Sequence, residues 1–275
     1  MRTLAKRQRP GILRCMGAID TAAGRIGVAD NGVTSGQPIL FLHGVGSDKS
    51  VWQPQLDHYR GVRPAIAIDY PGYGESDLVR AATRDDYARA AFAVLDALGH
   101  DQAHICGLSL GGVVAIAMHA LARDRCLSLL LADTFAVHPD GRAIYERSLA
   151  GSKDMRALAE ARVDVLLAQP ADPALRSAVV DTMAAIDPAA YGIGAEAVWL
   201  AEQPDRVAAI DVPVLVLCGA HDVVTPPSLS EDLARAIPGS QFALVDGAGH
   251  LPNIEQPERF NAAVDRFLSA VEQKT

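Results

Sequence analysis

The chain contains few cysteines, and they lie far apart in the sequence. Its four cysteines are Cys15, Cys106, Cys126 and Cys218, so no two have the close spacing of metal-binding motifs. Cys106, Cys126 and Cys218 fall in or beside apolar segments of strand length. We therefore expect reduced cysteines in the core of a cytoplasmic protein, and no cysteine-based metal site.

The chain also lacks a long apolar run and an excess of positive charge. No apolar run approaches the ~18 residues that a membrane-spanning helix needs, so we expect no membrane association. The formal net charge is -8, and five basic residues lie within residues 1–14, so the rest of the chain is more acidic still. An acidic body without a basic cluster argues against nucleic acid as a partner.

Residues 1–17 differ from the rest of the chain. They are rich in arginine and lysine but contain no apolar segment of the kind that a secretory signal requires. The sequence becomes typical of a folded domain only near Met16. We interpret residues 1–17 as a flexible tail, with an upstream start codon as the alternative explanation for the first fifteen residues.

Eight short apolar segments alternate with segments of helical periodicity. Buried strands that alternate with helices predict an α/β fold, with a mostly parallel eight-stranded sheet and helices on both of its faces. Residues 18–133 and 210–275 would form this core. The predicted strands are residues 18–21, 25–29, 38–42, 65–68, 103–106, 127–131, 212–217 and 242–245.

The alternation stops between residues 134 and 209. This stretch has no strand-like run, and its helical patterns are separated by glycines and prolines. Because it lies between two predicted strands, we predict an inserted all-helical cap at residues 134–209. Open α/β sheets bind ligands beyond the carboxyl ends of their strands, so such a cap would cover the ligand site.

Residues 107–111, with the sequence GLSLG, carry the most specific local signal. They place Ser109 between a predicted strand and a predicted helix. A serine between two glycines at a sharp strand-to-helix turn is the pattern of a nucleophile elbow. The helix N-terminus beside it favours developing negative charge. Since the pattern also arises by chance, its meaning depends on the partners that a serine nucleophile requires.

Those partners are a histidine base and a carboxylate that orients the histidine. Asp222 follows one predicted strand and His250 follows the next. Ser109, Asp222 and His250 occur in one of the established chain orders of such a triad. Asp133 also ends a predicted strand and is the alternative acid. We predict Ser109 as nucleophile, His250 as base and Asp222 as the orienting acid.

Acyl transfer at a serine also requires N–H donors for the developing oxyanion. Leu110, the residue after the serine, supplies one backbone N–H. The glycine-rich loop at residues 42–46 would supply the second through the backbone N–H of Val45, because the glycines around it permit close approach of a substrate oxygen. The alternative is that these glycines form a simple turn.

Five motifs together indicate a known family. They are LHGVG at residues 42–46, DYPGYGES at 69–76, GLSLGG at 107–112, GAHD at 219–222, and GH with EQPE at 249–258. In this order they make the chain resemble the α/β-hydrolase superfamily over residues 18–268. The elbow, the short helical cap and the EQPE ending are most similar to the 3-oxoadipate enol-lactonase and carboxylesterase branch.

The resemblance implies a serine hydrolase that cleaves a carboxylic ester or a lactone through an acyl-serine intermediate. It implies a small-molecule substrate and no metal or organic cofactor. A carbon–carbon bond hydrolase acting on ring-cleavage products and a perhydrolase are alternatives on the same triad. A ligand receptor with little turnover is the alternative that is not an enzyme. We expect a cytoplasmic monomer or homodimer.

Four aromatic residues are candidates for the substrate pocket, and packing between cap helices is the alternative for each. One follows a strand end and three lie in the predicted cap: Tyr73, Phe135, Tyr145 and Trp199. A charged lactone would also require a cation in the pocket. Arg142 and Arg147 are the candidates for that cation, with a solvent-facing position as the alternative.

Overall fold

A computed structural model describes residues 17–273, and the predicted tail lies outside the described residues except for Gly17. Eight strands form a single sheet in the order β1-β2-β4-β3-β5-β6-β7-β8. The strands are β1 (Gly17–Thr21), β2 (Gly24–Asp30), β3 (Ile39–Leu42), β4 (Ala65–Ile68), β5 (Ala103–Leu108), β6 (Cys126–Ala132), β7 (Val214–Gly219) and β8 (Gln241–Val245).

Strands β3 to β8 run parallel, and β2 runs antiparallel to both of its neighbours. Every residue of β3, β4, β5 and β7 is buried. A strand buried on both of its faces needs a helical layer on each side of the sheet. The prediction of a mostly parallel eight-stranded sheet with helices on both faces is therefore confirmed.

Eleven helices surround the sheet in the described part of the chain. They are α1 (Gln53–His58), α2 (Arg84–Leu98), α3 (Leu110–Leu121), α4 (Gly141–Gly151), α5 (Met155–Leu166), α6 (Pro173–Ala184), α7 (Pro188–Trp199), α8 (Pro204–Ala208), α9 (Pro227–Ala236), α10 (Pro252–Glu255) and α11 (Pro257–Glu272). Local sequence sets their ends: Thr83 and Asp86 form a capping box before α2, and Gly99 ends that helix with φ 78°.

Helices α4 to α8 lie between β6 and β7, and we refer to them as the cap. Aspartates precede four of these helices, and three of the four accept hydrogen bonds from backbone N–H groups of the first turn. Asp172, for example, accepts hydrogen bonds from the backbone N–H groups of Ala174 and Leu175 at the start of α6. Helices α8 and α10 were not predicted, because five and four residues are too few to show a helical period.

The described cysteines, Cys106, Cys126 and Cys218, are buried and free, and Cys15 lies outside the described residues. Among residues 17–273, no helix has both the length and the apolar character needed to cross a membrane.

Candidate active site

Ser109 occupies the turn between β5 and α3. Its backbone has φ 55° and ψ -113°, a conformation that residues with a Cβ rarely adopt. The glycines on either side are required by space. A Cβ on Gly107 would overlap the backbone of Gly111, and a Cβ on Gly111 would overlap the carbonyl group of Leu42. This close packing of strand and helix holds Ser109 at the carboxyl end of the sheet, at the N-terminus of α3.

His250 and Asp222 are joined by a hydrogen bond at the same end of the sheet. His250 Nδ1 lies 2.8 Å from Asp222 Oδ2. The Asp222 carboxylate also accepts hydrogen bonds from the backbone N–H of Val224 at 2.7 Å, and from the N–H and hydroxyl of Thr225 at 3.0 and 2.6 Å. Because a carboxylate only accepts, Nδ1 carries the ring proton and Nε2 is left as an acceptor.

The surroundings of Asp222 keep it charged. Burial acts to raise its pKa, but the charge and hydrogen bond of His250, together with the hydrogen bonds from Thr225, lower the pKa of Asp222 below its ordinary value. A charged Asp222 can hold the imidazole ring of His250 through this hydrogen bond and would stabilise a positive charge on that ring.

Asp133 lies next to this pair, directly after β6. Its φ is 47°, and Ser109 is the other described non-glycine residue with a positive φ. Asp133 Oδ1 accepts a hydrogen bond from the backbone N–H of Gly219 at 2.8 Å, and Oδ2 is buried with no hydrogen-bond partner among the described residues. Burial and the neighbouring charge of Asp222 raise the pKa of Asp133 well above its ordinary value. Burial and the charge of Asp222 therefore favour the protonated, neutral form of Asp133.

Asp133, Asp222 and His250 form the one described group of side chains with a donor set suited to a metal. One ligand atom from each lies within 4.8 Å of the others. Nδ1 of His250 and both oxygens of Asp222 are already engaged in hydrogen bonds. A metal at this position would have to break the bond that orients His250, so the geometry favours hydrogen bonding over coordination.

The loop after β3 lies against the serine. A Cβ on Gly44 would lie 3.5 Å from the Cβ of Ser109. Val45, the next residue, lines the same cavity as Ser109. Leu110 is the first residue of α3, where a backbone N–H has no partner within the helix. Two predicted donors, the N–H groups of Val45 and Leu110, thus belong to segments that meet at Ser109.

Buried polar groups fix this loop. His43 Nδ1 donates to the carbonyl oxygen of Gly44 at 2.8 Å, and burial lowers the pKa of His43, so its ring is neutral. Lys49 Nζ lies 2.6 Å from Asp69 Oδ2 and 2.8 Å from Glu75 Oε2. The backbone N–H of Lys49 also donates to Asp69, at 2.8 Å. The ion pair ties the segment after β3 to the segment after β4.

A cavity of about 170 Å³ lies between the sheet and the cap. Ser109 and His250 both line it. Within the described residues no hydrogen bond joins the Ser109 hydroxyl to His250, and bonds of this kind commonly tighten only when substrate binds. Most of the wall is apolar, including Val45, Val51, Leu108, Leu166, Leu175, Ala178, Val179, Met183, Tyr191, Trp199, Leu251 and Ile254.

The structure separates the four aromatic candidates. Trp199 lies on the cavity wall, whereas Tyr73, Phe135 and Tyr145 are not among the described residues that line it. Phe135 stacks on Trp199 with ring centroids 5.9 Å apart and so helps to hold the indole ring in place. Tyr73 is buried, and its ring centroid lies 5.1 Å from that of His43. Tyr145 is half-buried on α4.

The cation of the cavity also differs from the two that the sequence suggested. Arg142 and Arg147 are exposed on α4, and Arg162 of α5 lines the cavity instead. The signal for Arg162 was present in the sequence. Ala159 and Leu166 are buried at helical spacing, and Arg162 falls between them on the same apolar stripe of α5.

The chain is similar to known proteins over most of its length. The sequence profile of the Alpha/beta hydrolase family matches residues 39–263. The chain is 28% identical to 3-oxoadipate enol-lactonase 1 of Acinetobacter baylyi over 254 residues, which cover 90% of this chain and 94% of that protein.

Two solved structures are also similar. The thermophilic esterase of Thermogutta terrifontis, solved with malate bound, is 30% identical with a TM-score of 0.83, over 92% of this chain and 98% of that one. The enol-lactonase of Burkholderia xenovorans LB400 is 25% identical with a TM-score of 0.85, over 92% and 99% of the two chains. With its profile match, its sheet and its strand-to-helix serine turn, the chain belongs to the α/β-hydrolase family.

Proposed function

We propose that this protein is a serine hydrolase that cleaves a carboxylic ester or a lactone through an acyl-serine intermediate. The observation that carries the proposal is the hydrogen bond from His250 to Asp222 beside a cavity that Ser109 also lines. Relatives named as an enol-lactonase and an esterase support the reaction class.

The first half of the reaction would acylate Ser109. Nε2 of His250 takes the hydroxyl proton as Ser109 attacks the carbonyl carbon, and Asp222 stabilises the imidazolium that forms. His250 then gives this proton to the leaving alkoxide. In a lactone the leaving group stays attached to the acyl chain, so ring opening releases no separate alcohol at this stage.

The oxyanion that forms in each half of the reaction would accept hydrogen bonds from the backbone N–H groups of Val45 and Leu110. Backbone donors held by a packed loop and a helix N-terminus need no reorganisation as charge develops, which is why such sites lower the barrier. The ion pair of Lys49 with Asp69 and Glu75 holds the loop that carries Val45.

The second half of the reaction would release the acid. His250 removes a proton from water, the resulting hydroxide attacks the acyl carbonyl, and the proton returns to the Ser109 oxygen as the acyl bond breaks. The cap limits access of bulk water to this step, because the cavity lies between the cap and the sheet.

Covalent labelling with an alkyl fluorophosphonate, combined with hydrolysis of 4-nitrophenyl butyrate, tests the proposal. We expect the label on Ser109 and loss of hydrolysis in Ser109→Ala by a factor of about 10³ or more. Ser50→Ala is the matched control, because Ser50 also lines the cavity and should remain dispensable. Labelling of Ser50, or full activity of Ser109→Ala, would overturn the assignment.

A further inference from the structure

Glu255 is the first residue of the EQPE motif, and no step of the proposed reaction uses it. It is the last residue of α10, lies five residues after His250 and is half-buried. Its carboxylate accepts hydrogen bonds from the backbone N–H groups of Gly249 at 2.9 Å, Leu251 at 3.1 Å and Ala168 at 2.7 Å. The first two donors are the chain neighbours of His250, and the third belongs to the cap.

The cap and the loop that carries His250 also meet through their backbones. The backbone N–H of His250 donates to the carbonyl oxygen of Leu166, at the end of α5, at 2.8 Å. A Cβ on Gly249 would lie 2.8 Å from the backbone nitrogen of Ala168 and 2.9 Å from the carbonyl oxygen of Leu166. Space therefore requires a glycine here, and Glu255 adds its hydrogen bonds to an already close contact.

Capping of α10 explains only part of this arrangement. Leu251 is the N-cap residue of α10, and an acidic side chain in the first turn of a helix can accept the N–H of the N-cap residue. The bonds from Gly249 and Ala168 serve no such purpose, because both residues lie outside α10. A carboxylate is suited to the wider role, since both of its oxygens accept hydrogen bonds, whereas an amide offers one oxygen only.

These contacts connect the base to the wall of the cavity. Leu166 and Leu251 both line the cavity, and both take part in the hydrogen bonds that join the cap to the loop of His250. While the bonds are formed, the wall and the imidazole ring keep a fixed relation. Catalysis is sensitive to such positioning, because a displacement of about 1 Å can cost about 10²-fold in rate.

We propose that Glu255 is a positioning residue for the base: its carboxylate fastens the loop of His250 to the end of α5, so that cap and base keep the alignment that proton transfer needs. Glu255 acts through the backbone on either side of His250. The inference rests on the proposed function for the role of His250, but the link between the loop and the cap is a separate property of the structure.

Two esters whose leaving groups differ in their need for a proton test this role. The phenolate that leaves 4-nitrophenyl butyrate is stable without a proton, whereas the alkoxide of ethyl butyrate needs one from His250. In Glu255→Gln an NH₂ group replaces one acceptor oxygen, so the cap or the loop loses its bond. We expect kcat/KM to fall about tenfold for the nitrophenyl ester and about 10²-fold for ethyl butyrate. A loss of stability alone would lower both values equally and leave their ratio unchanged.

Glu258→Gln is the matched control, because Glu258 belongs to the same motif, is exposed and loses the same charge. It should keep the wild-type ratio of the two kcat/KM values. Glu255→Asp is a second variant that retains the carboxylate on a side chain shorter by one methylene group, and it should also change the ratio. A wild-type ratio in Glu255→Gln, or in Glu255→Asp if the glutamine variant does not fold, would overturn the inference.

Hydrogen exchange measured by mass spectrometry separates the link from the reaction. In Glu255→Gln, exchange should become faster in residues 246–251 and in residues 166–169, with exchange in β5 unchanged, whereas Glu258→Gln should alter none of these segments. If exchange responds in this way but the wild type hydrolyses neither ester, the link between loop and cap stands and the proposed function fails. If the wild type hydrolyses both esters while Glu255→Gln leaves exchange and the ratio unchanged, only the inference fails.

Discussion

Substitution of the two buried aspartates beside His250 distinguishes a charged carboxylate from a neutral one. Asp222→Asn and Asp133→Asn change the same atoms, an oxygen to an NH₂ group, at neighbouring sites. We expect Asp222→Asn to lose about 10⁴-fold in kcat, the size of the effect when a triad acid becomes an amide. We expect Asp133→Asn to stay within about threefold of wild type, which is less than 1 kcal/mol in the barrier.

The hydrogen bonds of Asp222 explain the large effect. Its two oxygens accept four hydrogen bonds, from Val224, Thr225 and His250. An asparagine has a single acceptor oxygen. If that oxygen meets the backbone N–H groups, its NH₂ faces His250 and forces Nδ1 to accept. The ring proton then moves to Nε2, where it prevents His250 from taking the proton of Ser109.

The state of Asp133 explains the small effect. The raised pKa favours its protonated form, which, with one oxygen bonded to Gly219 and the other without a partner among the described residues, has nearly the shape and charge of asparagine. The same state makes a prediction about stability. Because the pKa of Asp133 is higher in the folded than in the unfolded protein, its contribution to stability is present at low pH and is lost as pH rises above about 4. Asp133→Asn should therefore raise the melting temperature more at pH 7 than at pH 4.

Steady-state hydrolysis of 4-nitrophenyl butyrate and thermal unfolding at the two pH values measure these effects. Circular dichroism of both variants controls for folding. A large loss of kcat in Asp133→Asn with little loss in Asp222→Asn would refute the reasoning and make Asp133 the orienting acid. A stability gain in Asp133→Asn that does not depend on pH would show that Asp133 is charged in the folded protein.

Two further predictions concern the segments that hold the site. Lys49→Met leaves the buried carboxylate of Asp69 without its cation and should lower the free energy of unfolding by about 3–5 kcal/mol in urea titrations. Arg147→Gln on the cap surface is the control and should not change the free energy of unfolding. Equal stability of the two variants would contradict a structural role for the ion pair. The free energy of unfolding of Ser109→Gly should exceed that of Ser109→Ala by about 1 kcal/mol in urea titrations, because glycine relieves the strained backbone at φ 55° and alanine does not. The reverse order would show that the turn stores no strain.

Much of the fold could be predicted from the sequence, because its signals are local. Strands such as Ala65–Ile68 are short apolar runs bounded by turns, and burial on both faces follows from that composition. The helical stretch between β6 and β7 could be predicted because the alternation of strand-like and helical segments stops there. Prediction was weakest for elements of about one turn, such as α10 (Pro252–Glu255), which was not predicted.

The pocket could be predicted less well, since its residues meet only through tertiary packing. Aromatic character suggested Tyr73 and Phe135, but both are buried and neither is among the residues that line the cavity. Arg142 and Arg147 were the candidates for the cation that a charged lactone would require, whereas the cation that lines the cavity is Arg162. Which side of a cap helix faces the cavity depends on how the cap helices pack, and that information is not contained in the composition of any one helix.

The sequence by itself determined the architecture and the chemical types at the strand ends: a serine between glycines, aspartates after β6 and β7, and a histidine after β8. These follow from local constraints, because only glycine fits the close approach at the serine turn and apolar residues predominate in a strand covered on both faces. Tertiary structure alone decided which aspartate bonds to His250 and which has a raised pKa. It also decided that Arg162 is the cation of the cavity, since burial, charge and hydrogen bonding at a site are set by residues distant in the chain.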